Sequence, residues 1–318
     1  MKKKKIAFII GITGQDGSYL TALLLKKSYK VIGYTRSLNK NNLLNLKRIG
    51  VLKRVHLIKY RENQPFSILK SIKKNIPNEI YFLAGQSSVK KSFNEPINTY
   101  YSNINILFSI LEYCRQNNNH IKIYNSSSTD CFGNSKKIFQ NERDTFKPES
   151  PYGNSKAFGF WLTKFYREKY NLNSKSGILS NHESPLRNKN FVLKKIINFV
   201  KNKKKNQPLY LGDTSVYRDW GWAPEFVEAI YKINNSKLKK DYVVGTGKIV
   251  SLNYIVKKIF KLTFVNKKFL KTRIAKSLRP QEIRKMGADA SQIKKDLHWQ
   301  AKIKIDQIIN KLLNNELY

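Results

Sequence analysis

A glycine-rich turn between an apolar strand and a helix is the feature of this sequence that most constrains its fold. Residues 6–10 form a continuous apolar run, which is typical of a buried parallel strand. Gly11, Gly14 and Gly17 follow, and Tyr19 begins a series of apolar residues at helical spacing. Glycines let the backbone turn tightly and let a pyrophosphate approach the amides at the helix N-terminus. The segment therefore predicts a dinucleotide site; the alternative is a plain glycine-rich turn.

The rest of the first half alternates strand patterns with helical patterns. Such alternation predicts an α/β fold with a Rossmann-type, doubly wound parallel sheet. The longest helical pattern covers residues 101–116. The predicted strands, which are all short and mostly apolar, are residues 6–10, 30–34, 55–59, 79–83, 121–125 and 176–179.

The pattern becomes irregular after about residue 180, and a chain of 318 residues is long enough for a large domain and a smaller one. We therefore predict a dinucleotide-binding domain over residues 1–180 and a substrate-binding region over residues 181–318, which partly returns to the sheet. Within the second region the pattern predicts strands at 209–211 and 241–244 and helices at 191–201 and 224–230.

Tyr152 and Lys156 form the second informative motif. Pro148 and Pro151 interrupt the chain just before them and a helical pattern follows, so both residues lie at the start of a predicted helix. A spacing of four places their side chains on one helix face. A lysine ammonium beside a phenol favours the phenolate, so we expect the tyrosine pKa to fall from its usual value of about 10. Tyr152 would then serve as a base for a sugar hydroxyl, although this spacing alone is also common on helix surfaces.

Arg36 follows the second predicted strand, at a position where many NAD enzymes use an acidic residue to bind the ribose hydroxyls. A guanidinium suits the 2′-phosphate that distinguishes NADP from NAD. The sequence therefore predicts NADP, in preference to NAD, as the cofactor. The alternative is an arginine that only caps the end of a strand.

The formal net charge of +40 would ordinarily suggest binding to nucleic acid. Lysine, asparagine and isoleucine are abundant along the whole chain, however, which is typical of codon bias in an A/T-rich genome. The short lysine runs are not accompanied by a nucleic-acid-binding motif. We therefore expect no nucleic-acid partner, and we expect the charge to help attract an anionic sugar nucleotide.

Cysteine content and hydropathy exclude several other classes of protein. Cys114 and Cys131 are the only cysteines and have no partnering histidines, so neither a metal site nor a disulfide framework is predicted. No apolar run approaches membrane-spanning length, and the run at residues 6–10 is shorter than a signal peptide requires. We expect a cytoplasmic protein that does not associate with a membrane.

Several longer strings resemble the GDP-mannose 4,6-dehydratase family, part of the extended short-chain dehydrogenase/reductase superfamily, and the resemblance covers nearly the whole chain. The most selective string is Asn-His-Glu-Ser-Pro at residues 181–185. The others are the glycine-rich loop at 11–20, the strand end at 79–89, Ser-Pro-Tyr-Gly-Asn-Ser-Lys at 150–156, Arg-Asp-Trp-Gly at 218–221 and Arg-Pro-Gln-Glu at 279–282.

The resemblance implies a role for each matching position. It implies catalytic roles for Ser128, Asp130, Tyr152 and Lys156. The residues that it implies for binding NADP are Gly11, Thr13, Gly14, Gln15, Asp16, Gly17, Arg36, Leu83, Ala84, Gln86, Tyr152, Lys156 and His182. The residues that it implies for binding a GDP-sugar are Ser88, Asn181, Glu183, Lys194, Arg218, Arg279 and Glu282.

The family chemistry converts GDP-mannose to GDP-4-keto-6-deoxymannose with tightly bound NADP, and it makes the enzyme a lyase. By resemblance, Tyr152 would take the C4 hydroxyl proton while hydride passes to the cofactor. A carboxylate would then remove the C5 proton, water would leave from C6, and the hydride would return to C6.

Ser128 and Asp130 depart from the family pattern, which usually has threonine and glutamate there. Aspartate is one methylene shorter, so its carboxylate would fall short of C5 by about 1 Å, and such a misplacement can cost about a hundredfold in rate. A 4-keto reductase or epimerase of the same fold is therefore one alternative. A dehydratase for a GDP-linked heptose or N-acetylglucosamine is another, because the sugar contacts do not determine the hexose.

The family resemblance also implies a homo-oligomer, either a dimer or a tetramer. The segment after Arg36 lacks the Thr-Gly-Arg run with which family members usually bind the cofactor of a neighbouring subunit. The tetramer is therefore less well supported than the dimer.

Overall fold

The chain alternates strands and helices through its first half and becomes less regular in its second. The computed structural model describes residues 4–117, 120–201, 207–272 and 283–318. The strands are β1 (Ile6–Ile10), β2 (Lys30–Thr35), β3 (His56–Lys59), β4 (Glu79–Phe82), β5 (Lys122–Ser128), β6 (Phe139–Gln140), β7 (Ser174–Leu179), β8 (Asn181–Glu183), β9 (Leu209–Leu211), β10 (Tyr217–Trp222), β11 (Tyr242–Val244), β12 (Ile249–Ser251), β13 (Leu270–Thr272) and β14 (Lys285–Ala288).

The helices lie mainly between the strands, and a π-helical turn precedes one of them. The α-helices are α1 (Gln15–Lys26), α2 (Leu44–Arg48), α3 (Phe66–Asn75), α4 (Val89–Asn94), α5 (Pro96–Tyr100), α6 (Ile106–Asn117), α7 (Pro151–Tyr170), α8 (Val192–Lys201), α9 (Ala223–Asn235), α10 (Leu252–Leu262), α11 (Ser291–Leu297) and α12 (Ile305–Asn314). The π-helical turn is Tyr101–Asn105, and 3-10 turns cover Leu52–Arg54, Thr129–Phe132 and Lys267–Phe269.

A seven-stranded parallel sheet forms the centre of the fold, in the order β11-β7-β5-β4-β1-β2-β3. Successive residues of a strand point to opposite faces. Ala7 and Ile9 accordingly belong to a core that also contains α1 and α9, whereas Phe8 and Ile10 belong to a second core with α6. The predicted doubly wound α/β fold is confirmed.

β5 is longer than the sequence pattern predicted, because it continues past residue 125 to Ser128. Residues 126–128 keep the parallel pairing with β7, and Ser128 lies opposite Leu179. The pattern missed this extension because three consecutive serines carry no apolar alternation. The extension places a candidate catalytic hydroxyl at the carboxyl end of the sheet.

The two predicted halves exchange strands. β11 comes from the second half and pairs with β7 at the edge of the large sheet. β6 comes from the first half and pairs with β14 in a smaller sheet that also contains β8, β10 and β12. A third apolar core, formed chiefly by α8, α10 and α12, packs against this smaller sheet. The domain boundary after residue 180 stays a prediction.

A buried ion pair holds the segment before β11 against α7. Arg167 Nη1 donates to Asp241 Oδ1 at 2.8 Å, and both side chains are less than a tenth exposed. We expect Asp241→Ala to lower the free energy of unfolding by about 3–5 kcal/mol, because it leaves a buried guanidinium without its charge partner. Denaturant titration checks this value. The control is Glu168→Ala on the same helix, whose partner Lys164 is 3.8 Å away at the surface, and it should change stability by less than about 1 kcal/mol.

The outer face of α7 carries a stripe of exposed aromatic side chains. Phe158, Trp161 and Phe165 are 51%, 51% and 45% exposed. The opposite face, which is buried, carries small and polar residues such as Ser155 and Gly159. Most of the apolar pattern that predicted this helix therefore lies on the surface of the chain, whereas Leu162 packs against the second core.

Candidate active site

The carboxyl ends of four neighbouring strands meet at one edge of the large sheet. The glycine-rich turn follows β1, residues 83–88 follow β4, the turn Thr129–Phe132 follows β5, and residues 180–183 follow β7. Ligands of doubly wound sheets bind at this edge. The strand order therefore brings together candidate residues that lie far apart in the sequence.

The glycine-rich turn has the backbone geometry of a phosphate-binding loop. Gly11 has a φ of 92°, which favours glycine, and a Cβ there would lie 2.8 Å from the backbone nitrogen of Ala84. A Cβ at Gly17 would overlap the carbonyl oxygen of Gly11. Gly14 precedes α1 and has no side chain that could cap the first amides of the helix. These features fit the pyrophosphate of a dinucleotide cofactor.

The loop after β4 is fixed largely by its own side chains. Leu83 donates its backbone N–H to Ile10 at 3.0 Å, and Ala84 is buried. Gln86 Nε2 donates to the Ser88 carbonyl at 2.8 Å, and Ser88 Oγ caps α4. The predicted cofactor contacts of Gln86 and the predicted substrate contact of Ser88 stay predictions.

Asn103 is a site residue that the sequence reasoning missed. It lies in the π-helical turn, a feature that is frequent at functional sites, and it is 2% exposed. Its Nδ2 donates to the Gln86 carbonyl at 3.2 Å and to Ser155 Oγ at 2.8 Å. Asn103 thus joins the loop after β4 to the first turns of α7. The sequence feature that could have indicated Asn103 is the pair of polar residues, Ser102 and Asn103, which interrupts an apolar helical pattern.

Three of the predicted catalytic side chains form one cluster. Ser128 Oγ donates to Asp130 Oδ2 at 3.1 Å and accepts from the Asp130 backbone N–H at 3.2 Å. Tyr152 lies close enough to Ser128 and Asp130 for both side chains to shift its pKa. A carboxylate, a hydroxyl and a phenol therefore lie together at the end of β5, where they can exchange protons with a bound substrate.

The start of α7 brings Tyr152 to this cluster. Ser150 Oγ caps the helix by accepting from Gly153 N at 3.0 Å, and Pro151 is its first residue. A Cβ at Gly153 would lie 2.7 Å from the Asp130 carbonyl oxygen, so glycine allows the helix to pack closely against the turn after β5. The predicted helix start at this position is confirmed.

The protonation of Tyr152 differs from the sequence-based expectation. Burial raises the pKa of Tyr152 well above its usual value, and the carboxylate of Asp130 raises it further, while the hydrogen bond with Ser128 lowers it. Lys156 Nζ donates to the Ser126 carbonyl at 2.9 Å, and burial lowers the pKa of Lys156 to about 8. The expected fall in the Tyr152 pKa is therefore wrong for this structure, because desolvation of the phenol outweighs the stabilisation of the phenolate.

The side chains of Asp16 and His182 are hydrogen-bonded across 166 residues of sequence. His182 Nε2 lies 3.0 Å from Asp16 Oδ2, and Nδ1 lies 2.7 Å from the Ser180 carbonyl oxygen. The imidazole stacks on Phe226 with a centroid distance of 4.6 Å. Although burial raises it, the charge and hydrogen bond of His182 lower the pKa of Asp16 to about 2.

Gln15 forms two further hydrogen bonds between the start of α1 and residues 182–184. Its Nε2 donates to the His182 carbonyl at 3.1 Å, and its Oε1 accepts from Ser184 Oγ at 2.8 Å. Thr13 Oγ1 lies 3.4 Å from Thr35 Oγ1. The side chains of Gln15 and Asp16 thus bind the protein itself. Their cofactor contacts, like that of His182, stay predictions.

The predicted substrate residues of the second half lie around β8 and α8. Asn181 is partly exposed, whereas Glu183 is buried, and burial raises its pKa. Arg187 Nε lies 3.8 Å from Glu183 Oε2. Lys194 Nζ donates to the Pro185 carbonyl at 2.8 Å. These contacts keep two cations close to the end of β8.

Arg218 lies near the start of β10 and donates to the Tyr217 carbonyl at 2.8 Å. The next residue, Asp219, is 1% exposed and accepts from the backbone N–H of Thr246 at 2.9 Å. Asp219 thus fixes the loop that follows β11. The predicted substrate residues Arg279 and Glu282 lie outside the described residues.

Arg36 directly follows β2, at the same carboxyl edge of the sheet. Its Nη1 lies 3.0 Å from Glu62 Oε1, and its side chain is 63% exposed. The guanidinium is therefore accessible while one of its nitrogens is already paired. Recognition of a 2′-phosphate by Arg36 stays a prediction.

The described parts of the chain lack two further kinds of feature. Residues 4–117, 120–201, 207–272 and 283–318 contain no group of three or more histidine, cysteine, aspartate or glutamate side chains that could hold a metal ion. Over the same ranges, no helix combines the length and the hydropathy needed to cross a bilayer.

Solved structures of nucleotide-sugar enzymes have the same fold. A dTDP-glucose 4,6-dehydratase from Bacillus anthracis, solved in complex with NAD, aligns with a TM-score of 0.85 and 21% identity over 98% of this chain and 96% of that one. A UDP-glucose 4-epimerase from Thermotoga maritima, solved with UDP-glucose, aligns with a TM-score of 0.86 and 20% identity over 98% of both chains. At these identities the likeness shows the fold, which dehydratases and epimerases share.

Comparison with known sequences identifies the family more specifically than the likeness of folds does. The model of the family "GDP-mannose 4,6 dehydratase" matches residues 8–312. The chain is 35% identical to GDP-mannose 4,6 dehydratase 1 of Arabidopsis thaliana, over 100% of this chain and 91% of that protein. It is 32% identical to the Drosophila melanogaster enzyme, over 99% and 87% of the two chains, and 30% identical to the enzyme of Sinorhizobium fredii (strain HH103), over 100% and 98%. The chain belongs to the GDP-mannose 4,6 dehydratase family.

Proposed function

We propose that this chain converts GDP-mannose to GDP-4-keto-6-deoxymannose, as a lyase with a bound nicotinamide cofactor. The observation that carries the proposal is the cluster of Ser128, Asp130 and Tyr152 at the carboxyl end of β5, in a chain of this family. A bound nicotinamide would accept hydride from C4 of the sugar and return it to C6. The remaining steps are proton transfers, which the protein must supply.

Tyr152 takes the proton of the C4 hydroxyl as the C4–H bond breaks. Lys156 carries a positive charge below its pKa of about 8, and this charge favours the phenolate during the reaction. Asp130 removes the C5 proton, which the neighbouring 4-ketone acidifies, and gives a proton to the C6 hydroxyl, which leaves as water. C5 takes up a proton when the hydride returns to C6. Ser128 orients the Asp130 carboxylate through their 3.1 Å hydrogen bond.

The second half of the chain would hold the GDP moiety. Lys194 and Arg218 are cations on α8 and β10, and cations suit the diphosphate of a nucleotide sugar. The division into a cofactor domain over residues 1–180 and a substrate region over residues 181–318 fits this assignment. Location in the cytoplasm belongs to the same proposal.

One assay tests the function against its alternatives. The protein is incubated with GDP-mannose without added reductant, and the product is analysed by mass spectrometry for the loss of one water and by carbonyl trapping for a 4-ketone. The family usually has a glutamate at the position of Asp130, and this difference favours a reductase or an epimerase. A reductase would require stoichiometric reduced cofactor, an epimerase would leave the mass unchanged, and either result would replace the proposal.

Arg36 supports NADP as the cofactor. We expect Arg36→Ala to weaken NADP binding by about tenfold to a hundredfold, because a charge-assisted contact with the 2′-phosphate contributes about 1.5–3 kcal/mol. NAD binding should change by less than about threefold, since NAD lacks that phosphate. Calorimetry with both nucleotides measures the two effects. The matched control is Arg61→Ala in the neighbouring loop, and equal losses for NADP and NAD in Arg36→Ala would contradict the assignment.

The exposed aromatic stripe supports a homodimer formed by α6 and α7. Phe158, Trp161 and Phe165 project from α7, and Phe108, on the adjacent α6, is 46% exposed. Monomeric proteins rarely expose contiguous apolar surface of this kind. A second copy of the chain would cover the stripe with the same side chains, as a twofold interface requires.

Charge on the stripe should prevent assembly. We expect Trp161→Glu with Phe165→Glu to convert a dimer to a monomer, because the interface would then bury four unpaired carboxylates, two from each subunit. Light scattering after size exclusion measures the mass. Phe264→Glu serves as the control, because Phe264 is 93% exposed on another surface. A wild-type monomer, or a double variant that stays dimeric, would refute this interface.

A further inference from the structure

The turn at the end of α10 presents large apolar side chains to solvent. This turn, the Phe264 turn, covers residues 261–268. Phe264 is 93% exposed, and Leu262 is 43% exposed. Val265, in contrast, is buried and belongs to the third apolar core. Two apolar side chains therefore project into water from a turn that is itself fixed to the core.

The backbone at Phe264 has a conformation that favours glycine. Its N–H donates to the Lys261 carbonyl at 3.3 Å, and the N–H of Val265 donates to the Phe260 carbonyl at 2.9 Å. This pair of bonds is the Schellman motif, in which the position of Phe264 is usually a left-handed glycine, and the φ of Phe264 is 52°. Neither the strained backbone nor the exposed ring stabilises the folded chain, so both point to a contact with a partner.

Positive charge flanks this apolar tip on both sides. Residues 252–272 contain six lysines and neither aspartate nor glutamate. Lys261 and Lys267 are exposed, and each lies three residues from Phe264, so their Cα atoms are within about 11 Å of its Cα atom. Lys268 is exposed as well. The partner must therefore combine an anionic surface with an apolar interior.

We propose that the Phe264 turn attaches the protein to the surface of an anionic lipid bilayer. Phe264 and Leu262 would enter the boundary between headgroups and acyl chains, while the lysine ammonium groups would remain at the level of the headgroups. Attachment of this kind requires no spanning helix. It differs from the expectation of no membrane association, which was based on spanning segments and signal peptides. It also uses none of the residues assigned to the cofactor or the sugar nucleotide.

Charge alone would also suit a nucleic acid, but the form of the turn favours a bilayer. Single strands of nucleic acid bind in basic grooves, where aromatic side chains act as platforms for successive bases. The ring of Phe264 instead lies at the end of a tight turn, with the aliphatic Leu262 beside it. Such a projecting tip can enter a bilayer, whose anionic surface attracts each nearby lysine.

Vesicle flotation tests the attachment. The wild-type protein is mixed with vesicles of phosphatidylcholine, with or without phosphatidylserine, and the bound fraction is measured over a range of lipid concentrations. We expect the protein to bind at least about tenfold more tightly to vesicles that contain phosphatidylserine, because each lysine near an anionic surface adds to the affinity. Added salt should weaken this binding, since it screens the charges.

Phe264→Gly separates insertion from folding. Glycine suits the left-handed backbone, so this variant should melt at a temperature no lower than the wild type. It should nevertheless bind phosphatidylserine vesicles at least about tenfold more weakly, a change of about 1.4 kcal/mol, because no ring leaves water on binding. Ile76→Gly is the matched control, since Ile76 also has a left-handed φ, of 40°, and is 61% exposed at the end of α3. Its binding should stay within about threefold of the wild type.

A double variant, Lys267→Gln with Lys268→Gln, tests the charge independently of the ring. It should bind phosphatidylserine vesicles at least about tenfold more weakly, and its preference for them over phosphatidylcholine should decrease. Turnover of GDP-mannose is measured for every variant and should equal that of the wild type, because the Phe264 turn contains no residue of the proposed catalytic cluster. Normal turnover then shows that the variants are folded.

Several results would overturn the inference. A wild-type protein that does not float with phosphatidylserine vesicles has no such attachment. Wild-type affinity in Phe264→Gly would show that the lysines act without insertion. Loss of affinity for single-stranded DNA in both variants, with vesicle binding unchanged, would assign the turn to nucleic acid. A protein that floats with the vesicles but does not dehydrate GDP-mannose would refute only the proposed function, so the two failures are distinguishable.

Discussion

Tyr152→Phe should lower the turnover of GDP-mannose by about a thousandfold, within the range of about 10² to 10⁴ that general base catalysis contributes. The change removes one oxygen from a buried ring and leaves the packing of α7 intact, since Tyr152 is 8% exposed. The oxygen is the group that takes the C4 proton in the proposed mechanism. Product formation, followed by mass spectrometry, measures the loss.

Binding measurements separate chemistry from folding in this variant. Nucleotide affinity should stay within about threefold of the wild type, because the change removes a single hydroxyl and leaves the other predicted cofactor-binding residues in place. Tyr170→Phe is the matched control, since Tyr170 ends the same helix, is 42% exposed and is remote from the Ser128–Asp130 cluster. A Tyr152→Phe enzyme with more than about a tenth of normal turnover would remove Tyr152 from the role of base.

Asp130→Asn should divide the reaction into its two halves. Oxidation at C4 uses Tyr152 and Lys156, which the change leaves in place, whereas removal of the C5 proton needs a carboxylate. We therefore expect the absorbance of reduced nicotinamide to rise on adding GDP-mannose, while release of the dehydrated product falls by about 10² to 10⁴-fold. Exchange of the C5 hydrogen with deuterated solvent should disappear.

Asp130→Glu tests reach at the same position. If the shorter carboxylate limits the rate, the added methylene should raise turnover by up to about a hundredfold, the cost expected of a 1 Å misplacement. Because the Asp130 carboxylate is hydrogen-bonded to Ser128, we expect glutamate to keep this partner and to change only the position of the carboxylate. Normal dehydration by Asp130→Asn would show that another residue removes the C5 proton.

Local patterns were sufficient to predict the elements that carry the site. β1, the glycine-rich turn and α1 follow directly from an apolar run, three glycines and a helical period, because each of these constraints acts within a few residues. The starts of α7 and β4 could also be predicted from the sequence. Pro151 indicated the start of α7, and the apolar residues of β4 indicated that strand. The dinucleotide-binding turn and the start of the helix that carries Tyr152 could therefore be predicted from local sequence alone.

Long-range contacts could not be predicted in the same way. Nothing near Asp16 in the sequence indicates that its partner is His182, because the contact depends on how β7 and β1 lie within the sheet. The pKa of Tyr152 was predicted with the wrong sign because helix spacing shows its lysine neighbour but not its burial. The contact of Asn103 with Ser155 also depends on the packing of the π-helical turn against α7.

The late position of β11 in the chain has a consequence for biosynthesis. The other six strands of the large sheet end by Leu179, but residues 242–244 must be made before β7 gains its outer neighbour. All six residues of β7 are buried in the finished fold. A nascent chain that ends between these strands therefore exposes the unpaired backbone edge of β7, and such edges promote aggregation. During translation of the residues between these two strands, the large sheet therefore lacks its outermost strand.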